Sequence, residues 1–190
     1  MRGCRPQPTP ALATVLVYQE EAVQLAELLL PIGMAKRTGL RDLYKLFAQH
    51  PDAAIFTSLP GAGGSLAPGR LAKFGDDRQR FPSAASVQAL AGTCPVTDQS
   101  GKHRTIRFRT ACDHEFRHIA RQWALASVSQ SVWAASYWQA IRPHCHSDSH
   151  ATRCLANRWL AVAWKLWHSH QTYDEAYHLQ QRLARCQPRR

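Results

Sequence analysis

A chain of 190 residues with 24 Lys and Arg against 13 Asp and Glu carries a formal net charge of +11 before any histidine titrates. That length suffices for one domain with a real core plus an appendage, or two small domains, and a hydrophobic content of 45% with six Trp and six Phe excludes a disordered chain. The charge excess points to a polyanionic partner, because each cation placed on a phosphate releases condensed counterions, although a basic protein kept soluble by its charge has the same composition.

The first residues, MRGCRPQPTPALATVLVYQEEAVQ, place basic groups before a short apolar run, as a signal peptide does. Thr14 and Tyr18 interrupt the run, Gln19-Glu20-Glu21 end it, and no small-residue cleavage site follows. With no apolar stretch near the roughly 20 residues that span a bilayer, the expectation is a soluble, cytoplasmic protein without a membrane partner. Cys4, Cys94, Cys112, Cys145, Cys154 and Cys186 never form CxxC, which fits reduced thiols rather than a zinc ribbon or a secreted disulfide framework.

In chain order, Leu12, Val15, Leu16, Val23, Ala26 and Leu30 recur at mostly three- and four-residue steps, and Leu40, Leu43, Tyr44, Leu46 and Phe47 form a second run. Both predict amphipathic helices, separated at Pro31-Ile32-Gly33. A short helix through Phe56 should stop at Pro60-Gly61, and another should run from Ser65 to Phe74 and close at Gly75. Ser83 is the expected N-cap of SAASVQAL, which ends at Gly92. After the polar stretch TDQSGKH a strand is expected over 105–110, with Ile106 and Phe108 on one side and Arg107 and Arg109 on the other. From Asp113 the pattern is helical and is expected to continue, bent, through Trp133 and Tyr137 until Pro143 breaks it. A last helix carries the stripe Leu155, Trp159, Leu160, Ala163, Trp164 and Trp167, whose period favours core over base stacking.

Three stretches carry candidate chemistry. SLPGAGGSLAPGRLA places a PGxG step between two short helices, as in a helix-hairpin-helix element whose glycines let backbone amides approach a phosphate. A plain turn between packing helices has the same sequence, and no Gly-Lys-Ser/Thr follows to make a nucleotide-hydrolysing loop. HCHSDSHATRC offers His144, Cys145, His146, His150 and Cys154 to a metal, with His150 and Cys154 sharing a helix face. It lacks a second matching ligand pair, so no metal site is expected. In TDQSGKHRTIRFR, Ser100 lies beside Lys102, His103, Arg104, Arg107 and Arg109. Those groups suit either a turn serine next to a charged strand or a nucleophile facing a phosphate; no GxSxG elbow or triad spacing adds support. Arg182, Arg185, Arg189 and Arg190 make a basic tail.

IFTSLPGAGGSLAPGRLAKFGDDRQRFPSAASVQALAGTCPVTDQSGK, the FR, W and A of CDHEFRHIARQWA, and ANRWLAVAWKLWHSHQTYDE together resemble the C-terminal domain of the insertion-sequence one-ten, one-sixteen and nine-zero-two transposase family. The resemblance covers about residues 45–179 and rests on an ordered series: PGxG, Gly-Asp, a phenylalanine, AG-x-x-P, SGK, a Trp-rich helix and YDE. It implies a DNA recombinase that moves an insertion sequence, guided by a structured RNA, with Ser100 at the position of the family's serine nucleophile. Magnesium is then held by an N-terminal acidic domain, and no cofactor is expected in this chain itself. The residues expected to contact DNA, with a structured guide RNA as a further candidate partner, are Pro60, Gly61, Gly63, Lys102, Arg104, Arg107, Arg109 and Arg117.

Two departures stand out: Cys94 where an aliphatic residue is usual, and Asp113-His114-Glu115 where the family is more basic. Residues 1–44 are too short for the acidic domain, so a truncated member, inactive by itself, is expected. The expected fold is mainly α, with a helix-hairpin-helix-like element, a short β element after the serine loop and a C-terminal helical bundle. The expected divisions are an unrelated or disordered stretch (1–14), a helical linker or coiled-coil remnant (15–48) that pairs between copies or folds back, the transposase C-terminal domain (49–180) and the basic tail (181–190). A non-enzymatic DNA- or RNA-binding module and a degenerate remnant are the alternatives. When DNA-bound, such a protein would be associated with the nucleoid.

Overall fold

A computed structural model describes residues 12–101 and 103–186. The expected terminal stretch 1–14 and the last residues of the basic tail, including Arg189 and Arg190, therefore lie mostly outside the described residues. The chain divides into two compact units between Asp42 and Leu43. Among the described residues no helix is long and apolar enough to cross a membrane.

The first unit is formed by α1, Leu12–Ala48, whose last turns belong to the second unit. The break expected at Pro31 does not occur: Pro31 lies inside the helix. Proline removes one amide donor and crowds the preceding turn, but a single lost bond among Ala, Leu, Glu, Met and Lys neighbours leaves the helix intact, and Gly33 does not forbid helical angles. Leu28, Leu29, Leu30, Ile32 and Met34 are all exposed on it.

The second unit is mainly helical: α2 (Ala53–Ser58), α3 (Leu66–Phe74), α4 (Ala84–Leu90), β1 (Val96–Ser100), β2 (His103–Arg107), α5 (His114–Val128), α6 (Val132–Ile141), α7 (Asp148–Ser169) and α8 (Glu175–Cys186). The expected limits of α2, α3 and α4 hold, with Gly75 at φ +74° closing α3 through its amide on Leu71. Ser83 sits at the N-cap position of α4, yet its hydroxyl faces Ser86 Oγ at 3.2 Å instead of the backbone.

The long helix expected from Asp113 to Tyr137 is two helices. Ser129, Gln130 and Ser131 interrupt it, and Ser131 Oγ accepts the Ala134 amide as the cap of α6. Short hydroxyl side chains compete with the helical ladder for backbone groups, so a Ser-Gln-Ser run ends one helix and starts the next. Helix α8 was not foreseen in the sequence.

α7 is the central element, packed against α5, α4 and α6. Leu155, Trp159, Leu160, Ala163 and Trp167 of the expected stripe are buried, so the stripe is core; Trp164 is half-buried and donates its indole N–H to Phe81 O at 2.9 Å. Around Phe74 the rings of Phe56, Phe81, Phe116 and Trp167 pack edge to face at 5.2–6.1 Å. Trp159 is flanked by Trp123, Trp133 and Tyr173. A fully buried Trp removes about 200 Å² from water, on the order of 5 kcal/mol before its entropy cost, so these rings dominate the core.

Polar clasps orient the helices around that core. Glu175 Oε1, from the YDE sequence, accepts Ser131 Oγ at 2.7 Å and the Trp133 amide at 3.0 Å, while Tyr173 donates its amide to Ser58 Oγ. Arg78 grips Asp52 with two hydrogen bonds of 2.6 and 2.7 Å over the Trp167 ring. Burial raises the Asp52 pKa, but the Arg78 hydrogen bond and charge, with the charges of His50 and His170, bring it below the ordinary carboxylate value. The acidic departure at Asp113-His114-Glu115 has a structural reason. Asp113 caps α5 through the Phe116 amide, and Lys73 bridges Asp113 and Glu115 at 2.9 and 2.6 Å.

Candidate nucleic-acid interface

Two short helices flank the expected turn between α2 and α3, but its first glycine faces inward. Gly61 is buried at φ +74°, and its amide donates to Gln130 Oε1 at 2.9 Å. A Cβ there would lie 2.8 Å from Ser127 N and 3.0 Å from Trp123 O. The preceding Pro60 carbonyl accepts the Trp123 indole N–H at 2.8 Å. Pro60 and Gly61 thus anchor the turn to α5, whereas Gly63 and Gly64 are exposed with open space around them. Behind the turn, Arg70 is fully buried, donates to Phe56 O at 2.8 Å and lies 4.2 Å over Trp123. Burial pushes its pKa down to about 9, so it still carries its charge at neutral pH.

Ser100 ends β1, where the sequence suggested a loop ahead of a single strand. β1 and β2 form an antiparallel hairpin with Ser100 opposite His103 and Gln99 opposite Arg104. Gly101, at φ +57°, opens the two-residue turn, a left-handed conformation typical of such connections. Lys102, next in sequence, lies outside the described residues. The strand starts and stops two to three residues earlier than expected, at His103 and Arg107, leaving Phe108–Thr110 as irregular backbone.

Register decides which groups share the serine's face. Opposed residues point the same way, and every second residue along a strand repeats the direction. Ser100, Asp98, His103, Thr105 and Arg107 are therefore on one face, and Arg104 and Ile106 on the other. His103 is the direct cross-strand neighbour of Ser100, with Cβ atoms about 5 Å apart in such pairs. Arg107 is four residues further along, about 13 Å, and reaches Asp98 Oδ2 at 3.5 Å. Every residue from Thr97 to Phe108 that is described is exposed.

At the base of the hairpin the positive charge concentrates. Phe108 lies between the guanidinium groups of Arg117 on α5 and Arg153 on α7, at 4.6 and 4.8 Å from its ring centre. Arg117 Nη2 donates to the Arg109 carbonyl. Among the described residues no ion pair joins Arg109, Arg117 or Arg153 to a carboxylate, and the Nε atoms of Arg109 and Arg117 are buried without a hydrogen-bond partner. Gly92, in the AGTCP stretch, makes room for this cluster. It sits at φ +62°, and a Cβ would collide with the Arg117 guanidinium and with Cys112, 2.8 Å away.

The structure thus brings the Arg109 carbonyl against the Arg117 guanidinium, places Arg104 and Arg107 on opposite faces of the hairpin, and anchors Pro60 and Gly61 on Trp123 and Gln130. Arg153 and Phe108 belong to the cluster and were missed as site residues, Arg153 because it lies 36 residues beyond Arg117 on another helix. For magnesium the donors near Ser100 do not fit. Asp98 is a single carboxylate already paired with Arg107, and among the described residues the one group of three or more clustered His, Cys, Asp or Glu side chains is Cys145, His150 and Cys154. No step is assigned to that ion in this chain.

Residues 53–139 match the model of the transposase IS116/IS110/IS902 family. The chain is 32% identical over 129 residues to the mini-circle IS117 transposase protein of Streptomyces coelicolor, covering 68% of this chain and 31% of that one. It is 29% identical over 131 residues to the 42 kDa protein of insertion element IS900 from Mycobacterium paratuberculosis, covering 68% and 33%. The chain spans about a third of the length of these relatives.

Proposed function

We propose that the chain belongs to the transposase IS116/IS110/IS902 family that its residues 53–139 match, and that its second unit grips a DNA backbone and presents Ser100 to a phosphodiester during transposition of an insertion sequence. The observation that carries this reading is the pair of Arg117 and Arg153 guanidinium groups on Phe108, with Arg109 joined to Arg117 through its carbonyl and, among the described residues, none of the three in an ion pair with a carboxylate, at the foot of an exposed hairpin whose tip holds the serine. Guanidinium groups without an internal counter-ion favour a bidentate oxyanion such as phosphate, and contacts of this kind position a duplex without reading its sequence.

In the proposed step, Ser100 Oγ bonds to phosphorus as the bond to one DNA ester oxygen breaks. The serine proton passes to the imidazole of His103, and the departing oxygen takes a proton from solvent. Arg107, on the same face, helps hold the strand, and Lys102 and Arg104 extend the positive surface around the turn. Gly63, with Gly64, offers the exposed part of the α2–α3 turn to the backbone. A structured guide RNA presents the same phosphates, and its docking falls on the same positive surface. The exposed apolar residues of α1 supply a surface for pairing between copies.

The test is affinity for a short DNA duplex. Replacing Arg109, Arg117 and Arg153 together by Gln should weaken binding roughly a hundredfold at moderate salt, with thermal unfolding used to verify that the variant is folded. Unchanged affinity in a folded variant would refute the cluster as the contact surface. A binding-only module would use the same arginine cluster but form no covalent link to DNA through Ser100.

A further inference from the structure

The corner between α6 and α7 gathers side chains that the nucleic-acid reading does not use. Pro143 ends α6 in a short 3-10 turn, the Arg142–Asp148 ion pair ties the two sides of the corner, and Ser147 caps α7 through the His150 amide. This frame sets Cys145, from the turn, against His150 and Cys154, one helical turn apart on α7. The ligating atoms of all three lie within 4.8 Å of one another, and all three side chains are partly buried. Both cysteines are free thiols. The His146 ring stacks on His150 with centroids 6.0 Å apart.

We propose that Cys145, His150 and Cys154 form a binding site for a borderline-soft divalent cation of the zinc class, with two thiolates, one imidazole and one open position. The ligand chemistry selects this class: sulfur and imidazole nitrogen suit Zn²⁺, whereas magnesium and calcium take oxygen donors. Zn–S bonds of about 2.3 Å and Zn–N bonds of about 2.0 Å place tetrahedral donors roughly 3.5–3.8 Å apart. A closure of about 1 Å at the widest pair completes the site. The sequence shows only one helical pair, His150 and Cys154; the third donor arrives because the corner folds Cys145 back over the start of α7.

On binding, two S–H bonds are exchanged for two metal–sulfur bonds, and both protons go to solvent. Burial, with the neighbouring Cys145 thiol, pushes Cys154 up, and burial, with Arg153 and His146, pushes His150 down. A metal entering the site must displace the thiol protons. The bound ion fixes the first turns of α7, which carry Arg153 to Phe108.

The test uses the full chain, reduced with a phosphine and titrated with Co²⁺ as a probe of Zn²⁺ sites. We expect one equivalent to produce the visible bands of tetrahedral cobalt and a thiolate-to-cobalt charge-transfer band, both removed by Zn²⁺. Cys154→Ser and His150→Ala should each weaken Co²⁺ binding at least about a hundredfold, and Cys145→Ser/Cys154→Ser should remove the charge-transfer band. In the unaltered chain, which avoids any folding loss, Zn²⁺ should slow alkylation of Cys145 and Cys154 at least about tenfold relative to Cys94 and Cys112. Absence of the bands, their persistence in the double variant, or alkylation of Cys145 and Cys154 at an unchanged rate would overturn the site. A Cys145–Cys154 disulfide as the only chemistry of the pair, with no metal taken up after reduction, would overturn it too.

Discussion

Ser100→Ala is expected to abolish covalent attachment of DNA to this chain, by at least about a thousandfold, when the chain is combined with the portion of a longer relative that it does not span. The side chain is exposed at the end of β1, so its loss should change stability by less than about 0.5 kcal/mol and leave the hairpin and its affinity for DNA in place. The loss is therefore chemical: without Oγ no phosphoserine bond can form. His103, opposite it in register, is assigned the proton. His103→Gln should slow attachment about a hundredfold while leaving the affinity for DNA unchanged, whereas a merely structural role would leave the rate of attachment unchanged. The measurement is a labelled DNA strand migrating with the denatured protein. Equal attachment by Ser100→Ala and the unaltered chain would remove the serine from the mechanism and leave a binding-only module.

Gly61→Val should strongly destabilise the second unit. A β-branched residue at φ +74° costs about 1–3 kcal/mol, and overlap with the backbone of α5, where a Cβ would meet Ser127 N at 2.8 Å, adds a similar amount. Displacement of the turn also loses the hydrogen bond to Gln130, about 1 kcal/mol more. The total, about 4 kcal/mol or more, lowers the melting temperature by on the order of 10 °C for a unit of this size. Gly63→Ala is the contrast, since nothing lies within 4 Å of its added carbon and its φ is not positive. Its stability should move by less than about 0.5 kcal/mol. A Gly61→Val protein that melts like the unaltered one would mean that the turn is not anchored on α5.

These cases show what the sequence discloses. The tryptophan stripe of α7 is legible because helical period and burial coincide over four turns, and the Gly-Pro punctuation around α2 and α3 marks real chain reversals. β1 is not legible: in Val96-Thr97-Asp98-Gln99-Ser100 no side chain is buried, so no alternation of apolar residues marks the strand, and pairing with β2 alone defines it. Gly61 reads as a phosphate-facing glycine because its sequence shows only that a left-handed angle is allowed. That its amide is taken by Gln130, 69 residues away, is a tertiary fact. Arg153 and Cys145 share that property, each gaining its meaning from a neighbour on another element.

The salt dependence of DNA binding tests the shared premise of all these roles most directly. If Arg109, Arg117 and Arg153 each neutralise a phosphate, the logarithm of the association constant should fall with the logarithm of salt concentration with a slope of about −3 or steeper, and the triple Gln variant should flatten that slope by about 2–3. Binding that does not weaken as salt rises, or an equal slope for the folded triple variant, would contradict a phosphate-gripping surface at the foot of the Ser100 hairpin.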